Sequence, residues 1–203
     1  RLDALVNNAG SVFAAPIELI PPDLLREQFE LNVIAHVAVT QAVMPLLKAA
    51  RGTIINASSI SGRVTSPLLG PYSASKHALE AISDAMRIEL APFGVKVVVI
   101  EPGSSPTAIW LTSMKRAFGM LKERNIDTSP YAKLIDLMAK GAEARSRSGF
   151  PPQLFADTVE KILSSPRPAA RYPIPGNVAW AIRARRFMPD WAWDAMVRRS
   201  TGW

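Results

Sequence analysis

The chain has 203 residues, 48% hydrophobic and 20% charged, which is the composition of a folded globular domain and not of a disordered segment. It holds no cysteine and only two histidines, which excludes a disulfide scaffold, a thiolate metal site, a cysteine nucleophile and a histidine-rich metal cage. Lys and Arg outnumber Asp and Glu by 24 to 17, a net charge of +7 that suits an anionic ligand, a membrane surface or nucleic acid and says nothing about fold.

The chain opens on Arg1 and reads at once as a buried strand and turn, LDALVNNAG over residues 2–10. No charged leader with a cleavable apolar stretch precedes it, and no uninterrupted apolar run reaches the roughly 18 residues of a spanning helix. The expectation is a cytoplasmic chain that starts inside a domain. Residues 2–6 form the first predicted strand. A helical pattern then opens at Pro22-Asp23 and runs to about Ala50, where Arg51-Gly52 stops it; Pro45 is expected to bend or break its last turns. A second strand is predicted at 53–57, a helix from about Tyr72 to Leu90, and a third strand at 95–100. Near-continuous apolar runs followed by polar or glycine residues suit parallel strands buried on both faces, and their alternation with helices predicts an α/β fold. Residues 104–150 carry helical patterns and no strong strand, which is long for a connection and reads as a lid. A helix from Pro151-Pro152 to about Leu163, a proline-rich stretch, a weak strand at 170–174 and a basic, Trp-rich tail over 177–203 complete the chain.

The strongest chemical signal is Tyr72-Ser73-Ala74-Ser75-Lys76. Tyr and Lys four apart share one helix face. A fixed ammonium favours the phenolate, so a tyrosine that ordinarily loses its proton near pH 10 can exchange it with an alcohol near neutrality. The pattern alone also fits an exposed tyrosine beside a solvated lysine. The second signal, Asn56-Ala57-Ser58-Ser59-Ile60-Ser61-Gly62, puts serines at the carboxyl end of a parallel strand, where open α/β sheets bind ligands. Strand alternation forbids Ser58 and Ser59 from both facing the cleft unless the strand has ended, and Ser and Gly also serve plain turns. Asn7-Asn8-Ala9-Gly10 and Glu101-Pro102-Gly103 with Thr107 end two further strands in small or polar residues.

With these elements in this order, the sequence resembles the short-chain dehydrogenase/reductase family over about half its length, from residue 2 to Thr107. The elements are LVNNAG (5–10), Asn32, INASSISG (55–62), PYSASKHA (71–78) and IEPGSSPT (100–107). Its wording is nearest the branch of retinol and hydroxysteroid dehydrogenases. The resemblance implies a doubly wound, Rossmann-type sheet and an NAD- or NADP-dependent oxidoreductase. Tyr72 is then the general acid/base, and Lys76 tunes it and holds the nicotinamide ribose. Ser59, chosen over Ser58 by its thirteen-residue spacing from the tyrosine, binds the substrate oxygen. Asn32 supports a water relay to Lys76. Asn7, Ala9 and Gly10 line the adenosine side of the cofactor; Pro102, Gly103, Ser105 and Thr107 approach the nicotinamide side. Two departures accompany it. Ser105 stands where the family has an apolar residue, followed by Pro106 with no N–H. No glycine-rich phosphate turn precedes LVNNAG, so the expectation is a single partial domain over 1–203, incomplete at its N-terminus, with residues 2–6 as an apolar edge strand. Such a piece by itself is expected to be inactive and prone to aggregate.

Outside these motifs, His36 and His77 read as packing or surface residues, and no GxSxG elbow supports a hydrolase. Ile109, Trp110, Leu111, Met114, Phe118, Met120 and Leu121 give the lid an apolar surface, which points to a bulky apolar alcohol or ketone, such as a steroid, retinoid or lipid-like compound. The tail carries Trp180, Trp191, Trp193 and Trp203 with five arginines against two aspartates; packing or capping is favoured over peripheral membrane contact, and nucleic acid is disfavoured because no binding motif accompanies the charge. Self-association through the two long helices is implied by the resemblance. The alternatives are a non-catalytic dinucleotide-binding relative and a membrane-associated protein using the tail.

Overall fold

The computed structural model describes residues 1–203. Strands β1 (Ala4–Asn7), β2 (Thr53–Ala57), β3 (Lys96–Pro102) and β4 (Arg171–Ile174) form one sheet in that order, with every neighbouring pair parallel. Parallel neighbours need crossovers, and helices supply them. Helix α1 (Pro22–Phe29), a π-helical turn (Glu30–Ile34) and α2 (Ala35–Ala50) link β1 to β2. Helix α3 (Gly70–Leu90) links β2 to β3. Helices α4 (Ile109–Glu123), α5 (Ala132–Arg147) and α6 (Gln153–Ser164) lead to β4, and α7 (Asn177–Phe187) and α8 (Asp190–Thr201) close the chain.

The two-residue period of a strand sorts its side chains between two cores. Ile54 and Val97 pack with Leu47, Leu90 and Val95 under α2 and α3, while Ile55, Val98 and Ile100 pack with Phe150, Ile162 and Ile174 on the α6 side. Each such side chain removed from water contributes about 1.5–3 kcal/mol. Helices on both faces of a parallel sheet make the doubly wound arrangement predicted from the strand runs. β1 pairs on one side only, so it is an edge strand here.

Pro45 does not break α2. It is exposed, and so is Gln41 one turn earlier, so the carbonyl that loses its N–H partner faces water. The irregularity lies instead at the π turn around Asn32. The run Pro22–Ala50 is long and apolar enough to cross a membrane by length and composition, with a mean hydropathy of 1.5 in its most apolar window. Here it is the β1–β2 crossover, and it buries Gln28, Asn32, His36 and Thr40. Much of the apolar surface expected of the lid is core: Ala117 and Leu121, with Phe118 and Met120 beside them, pack on Phe13, Ala15 and Leu24. Ion pairs from Arg124 to Asp23 (2.6 Å) and from Arg116 to Glu27 fasten α4 to α1.

Candidate active site

The carboxyl ends of β1, β2 and β3 finish along one edge of the sheet, beneath a cleft of about 360 Å³. Gly10, Ser59, Tyr72, Lys76, Pro102, Gly103, Ser105 and Thr107 all line it. Ser59 has left the strand and caps a short 3-10 turn, its Oγ accepting from the Ser61 N–H at 3.1 Å. That leaves its own proton free on the side of the cleft that Tyr72 also lines. Ser58 turns the other way: its hydroxyl lies against Gly62 and has no hydrogen-bond partner.

Tyr72 and Lys76 occupy successive turns of α3. The Lys76 ammonium is buried, donates to the Ala57 carbonyl at 2.7 Å and stands 5.9 Å from the centre of the Tyr72 ring. An ammonium has three protons to donate, so two remain for other acceptors in the cleft. Burial pushes the Lys76 pKa down to about 8, against the upward pull of Glu80 one turn further on. The amine is therefore still largely protonated at neutral pH. Burial raises the Tyr72 phenol above its ordinary value, and the Ser59 hydrogen bond draws it back. The expected depression of the phenol by Lys76 is not the balance in this state: burial is the largest influence on the phenol, and desolvation wins.

Three assigned residues do not line this cleft. Asn7 was expected on the adenosine side of the cofactor. Its side chain is instead buried under the sheet, with Nδ2 donating to Thr40 Oγ1 (3.0 Å) and to Asn56 Oδ1 (2.9 Å), the residue paired with it in the β1–β2 register. Strand alternation sends Asn8, which sequence reasoning passed over, into the cleft. Ala9 does not line the cleft; its carbonyl is held at 2.7 Å by His36 Nε2. Asn32 is fully buried beside Gly10. Its Oδ1 accepts from the Ser11 N–H (2.9 Å), and its Nδ2 donates to the Ser11 carbonyl (2.9 Å) and to Ser75 Oγ (3.0 Å).

Together these contacts form one device. Gln28, Asn32, His36 and Thr40 recur every four residues along a single helix face. They bind, in reverse chain order, the Phe13 N–H, both backbone groups of Ser11, the Ala9 carbonyl and the Asn7 amide. A polar stripe on an otherwise apolar crossover thus satisfies the backbone of a loop that forms no regular structure of its own. Burial lowers the His36 pKa, the Ala9 carbonyl raises it and the Lys76 charge lowers it again.

The opposite rim is pinned just as firmly. Ser105 Oγ donates to the Phe150 carbonyl (3.0 Å), the Phe150 N–H donates to the Ser104 carbonyl (3.1 Å), and Trp110 Nε1 donates to the Ser105 carbonyl (3.0 Å). Gly149 makes this approach possible: its φ is +142°, and a Cβ there would lie 2.3 Å from the Ser104 carbonyl oxygen. The hydroxyl at 105 thus ties the rim to Phe150 after α5, which is the use this chain makes of its departure from the family pattern. The outer wall is apolar: Ile109, Trp110, Phe150, Pro152 and Phe155. Phe150 and Phe155 were absent from the predicted set because no local pattern links them to residues 59–76.

Residues 1–116 match the family model for short chain dehydrogenases. An uncharacterized oxidoreductase, YusZ of Bacillus subtilis, is 38% identical over 200 residues, covering 98% of this chain and 70% of that protein. An NADPH-dependent 3-dehydrocapnine reductase of Ornithobacterium rhinotracheale is 38% identical over 194 residues, covering 93% of this chain and 66% of its own length. Among solved structures, a short chain dehydrogenase from Burkholderia cenocepacia in complex with NADP superimposes with a TM-score of 0.66 at 25% identity, over 91% of this chain and 67% of that one. The chain belongs to the short-chain dehydrogenase family of NAD(P)-dependent oxidoreductases, and it spans about two thirds of the length of these relatives.

The residues present fit the nicotinamide-ribose half of such a cofactor. A Cβ at Gly10 would come within 3.3 Å of Asn32 Oδ1 and 3.8 Å of Lys76 Nζ, so glycine keeps the floor open between the loop and the ammonium. Lys76 has protons free for ribose hydroxyls, and Pro102, Gly103, Ser105 and Thr107 offer backbone along the facing rim.

Proposed function

We propose that the protein interconverts a bulky apolar secondary alcohol and its ketone, with Tyr72 as general acid/base. The observation that carries this reading is the convergence of Ser59, Tyr72 and Lys76 on one cleft, in which Lys76 is the only lining residue with an ammonium. The bound nicotinamide supplies or accepts the hydride. In the reducing direction the Ser59 and Tyr72 hydroxyls both donate to the substrate carbonyl oxygen and fix its position. As negative charge develops there, Tyr72 releases its proton to that oxygen, and the Lys76 ammonium stabilises the phenolate left behind. Reprotonation of Tyr72 from solvent completes the cycle; the oxidising direction runs the same transfers in reverse. Desolvation, which raises the phenol in the resting state, strengthens its attraction to Lys76 once the proton has moved.

Ile109, Trp110, Phe150, Pro152 and Phe155 support the apolar substrate class. Steroid, retinoid and lipid-like ketones are expected to give higher kcat/KM with NADH or NADPH than small polar sugars; a preference for the sugars would overturn the substrate class while leaving the chemistry intact. Exposed Leu31, Ile34, Val39 and Leu46 along the π turn and α2, with Ile88 on α3, support self-association through these helices. Size-exclusion chromatography with light scattering would test it, and a monomer at micromolar concentration would contradict it.

A further inference from the structure

We propose that α7 and α8 dock the protein on the surface of an anionic lipid bilayer. The inference is independent of the substrate reading.

The structure divides the aromatic residues of the tail into two groups. Trp193 is partly buried, with Arg185 stacked 5.4 Å from its ring, and Trp203 stacks on Tyr131 with ring centres 5.6 Å apart. Both rings have a partner within the protein, and Trp203 is 52% exposed. Trp180, Phe187 and Trp191 are more exposed still, at 71%, 83% and 75%. On α7, Trp180, Arg183 and Phe187 recur at i, i+3 and i+7, which places them on one stripe of the helix, while Val178 is buried on the other side. Trp191 opens α8 a few residues after Phe187, across the Met188-Pro189 turn. Large aromatic side chains scattered singly over a surface need no explanation, but three of them this exposed on one helical hairpin do.

Charge identifies what covers them. Residues 177–203 carry Arg183, Arg185, Arg186, Arg198 and Arg199 against Asp190 and Asp194, in a chain of net charge +7. Arg185 pairs with Asp190 at 2.6 Å, and it is the only arginine of the hairpin in an ion pair. Arg183 lies 5.9 Å from the Trp180 ring centre and has no carboxylate partner, so its charge and that indole are presented together. Indole and phenyl rings partition into the headgroup region of a bilayer, and unpaired guanidinium groups bind lipid phosphates with two parallel hydrogen bonds. An anionic membrane satisfies both features. The hairpin is also firmly mounted: Val178 packs so closely on the cleft rim that a Cβ at Gly103 would lie 2.9 Å from its Cγ2. Docking through α7 and α8 therefore fixes how the cleft rim sits on the membrane.

Co-sedimentation of the purified protein with vesicles tests the proposal. Vesicles of mixed phosphatidylcholine and phosphatidylserine should retain the protein at low salt and release it at high salt; phosphatidylcholine alone should retain far less. The Trp180→Ser/Phe187→Ser/Trp191→Ser variant, whose altered side chains all face water, should bind at least about tenfold more weakly with an unchanged thermal midpoint. Arg183→Gln/Arg186→Gln/Arg199→Gln should lose the salt-sensitive part of binding, and this second variant keeps the test decisive if the first does not fold. The tryptophan emission of the wild type should shift to the blue on the mixed vesicles. Equal recovery of wild type and both variants would overturn the proposal, as would failure of the wild type to bind anionic vesicles. A concentration-dependent dimer that the aromatic variant abolishes, without vesicle binding by the wild type, would assign the same surface to a second copy of the chain and also overturn it.

Discussion

Residues up to Thr107 and residues beyond it meet the demands of their polar groups in different ways. In the first part, buried polar side chains bind one another and the backbone: Asn7 to Thr40 and Asn56, Asn56 to Ser83, Asn32 to Ser11 and Ser75, and Lys76 to Ala57. In the second part most side-chain hydrogen bonds are local to one exposed helix, such as Lys140 to Asp136, Arg147 to Glu143 and Ser200 to Val197. The difference separates chemistry from access. A site that moves a proton needs groups held at fixed distances in a dry setting, whereas a docking surface need only present the right face.

The sharpest way to break this contrast is Tyr72→Phe. It removes one hydroxyl from the cleft that Ser59 also lines. Loss of a general acid/base costs about 10²–10⁴ in kcat, so turnover should fall by that factor while the thermal midpoint stays within a degree or two. Retention of most of the rate would remove Tyr72 from the chemistry. Asn32→Ala comes next. It strands the Ser11 N–H, while the Ser11 carbonyl keeps Gln28 Nε2 and the Ser75 hydroxyl keeps the Tyr72 carbonyl, and a buried group left unpaired costs about 1–3 kcal/mol. Urea unfolding should show a loss of that size, about 1–3 kcal/mol. The matching change in the second part, Ser200→Ala, should fall within about 0.5 kcal/mol of wild type. Comparable losses at both positions would erase the distinction. Gly149→Ala should rank third. Its φ of +142° and the 2.3 Å approach to Ser104 force the Phe150 tether to move, at a cost of about 1–3 kcal/mol. Because Phe150 lines the apolar wall, KM for apolar substrates should rise more than kcat falls.

The contrast also explains what the sequence disclosed. Strand runs, helix spans and the Tyr72–Lys76 spacing are periodic features, and a periodicity of two or four is written directly in the chain. Ser59 was separable from Ser58 only through resemblance, because the choice depends on where β2 ends. Asn7 was misplaced by one residue of alternation, and the signal that would have corrected it was present: an asparagine in register with Asn56 points the same way as its partner. The stripe Gln28, Asn32, His36, Thr40 was legible as a spacing of four, yet its targets lie fifteen to thirty-three residues away. Phe150 and Phe155 reach the cleft because α4 and α5 fold back, and no local rule encodes that. Pro45 misled because proline breaks a helix by removing a hydrogen bond, and the loss costs little where water replaces it.

The smallest effect concerns a cluster just behind the cleft. Glu101 at the end of β3 is buried with Glu80 of α3. Arg171 lies 3.0 Å from Glu80, 2.7 Å from Asp84 and 3.6 Å from Glu101, and Arg63 lies 3.8 Å from Glu101 and 3.9 Å from Glu80. Arg87 also holds Asp84 at 2.9 Å, and of the three carboxylates Glu101 has the most distant nearest arginine. Burial foremost, then the charge of Glu80, pushes its pKa up to about 7 against the pull of Arg63 and Arg171. The folded protein therefore holds this proton more tightly than the unfolded chain, whose value is 4.5. The stabilisation it contributes is complete below that value and is lost as the pH rises through about 7. Glu101→Gln keeps the shape and removes the titration. Relative to the variant, the wild type should lose thermal stability between pH 4.5 and about 7; a relative loss of about 1 kcal/mol would appear as about 2–4 °C. Parallel melting curves across that range would mean that Arg171 and Arg63 keep Glu101 ionised after folding, and that the cluster is an ion-pair network with no net proton uptake.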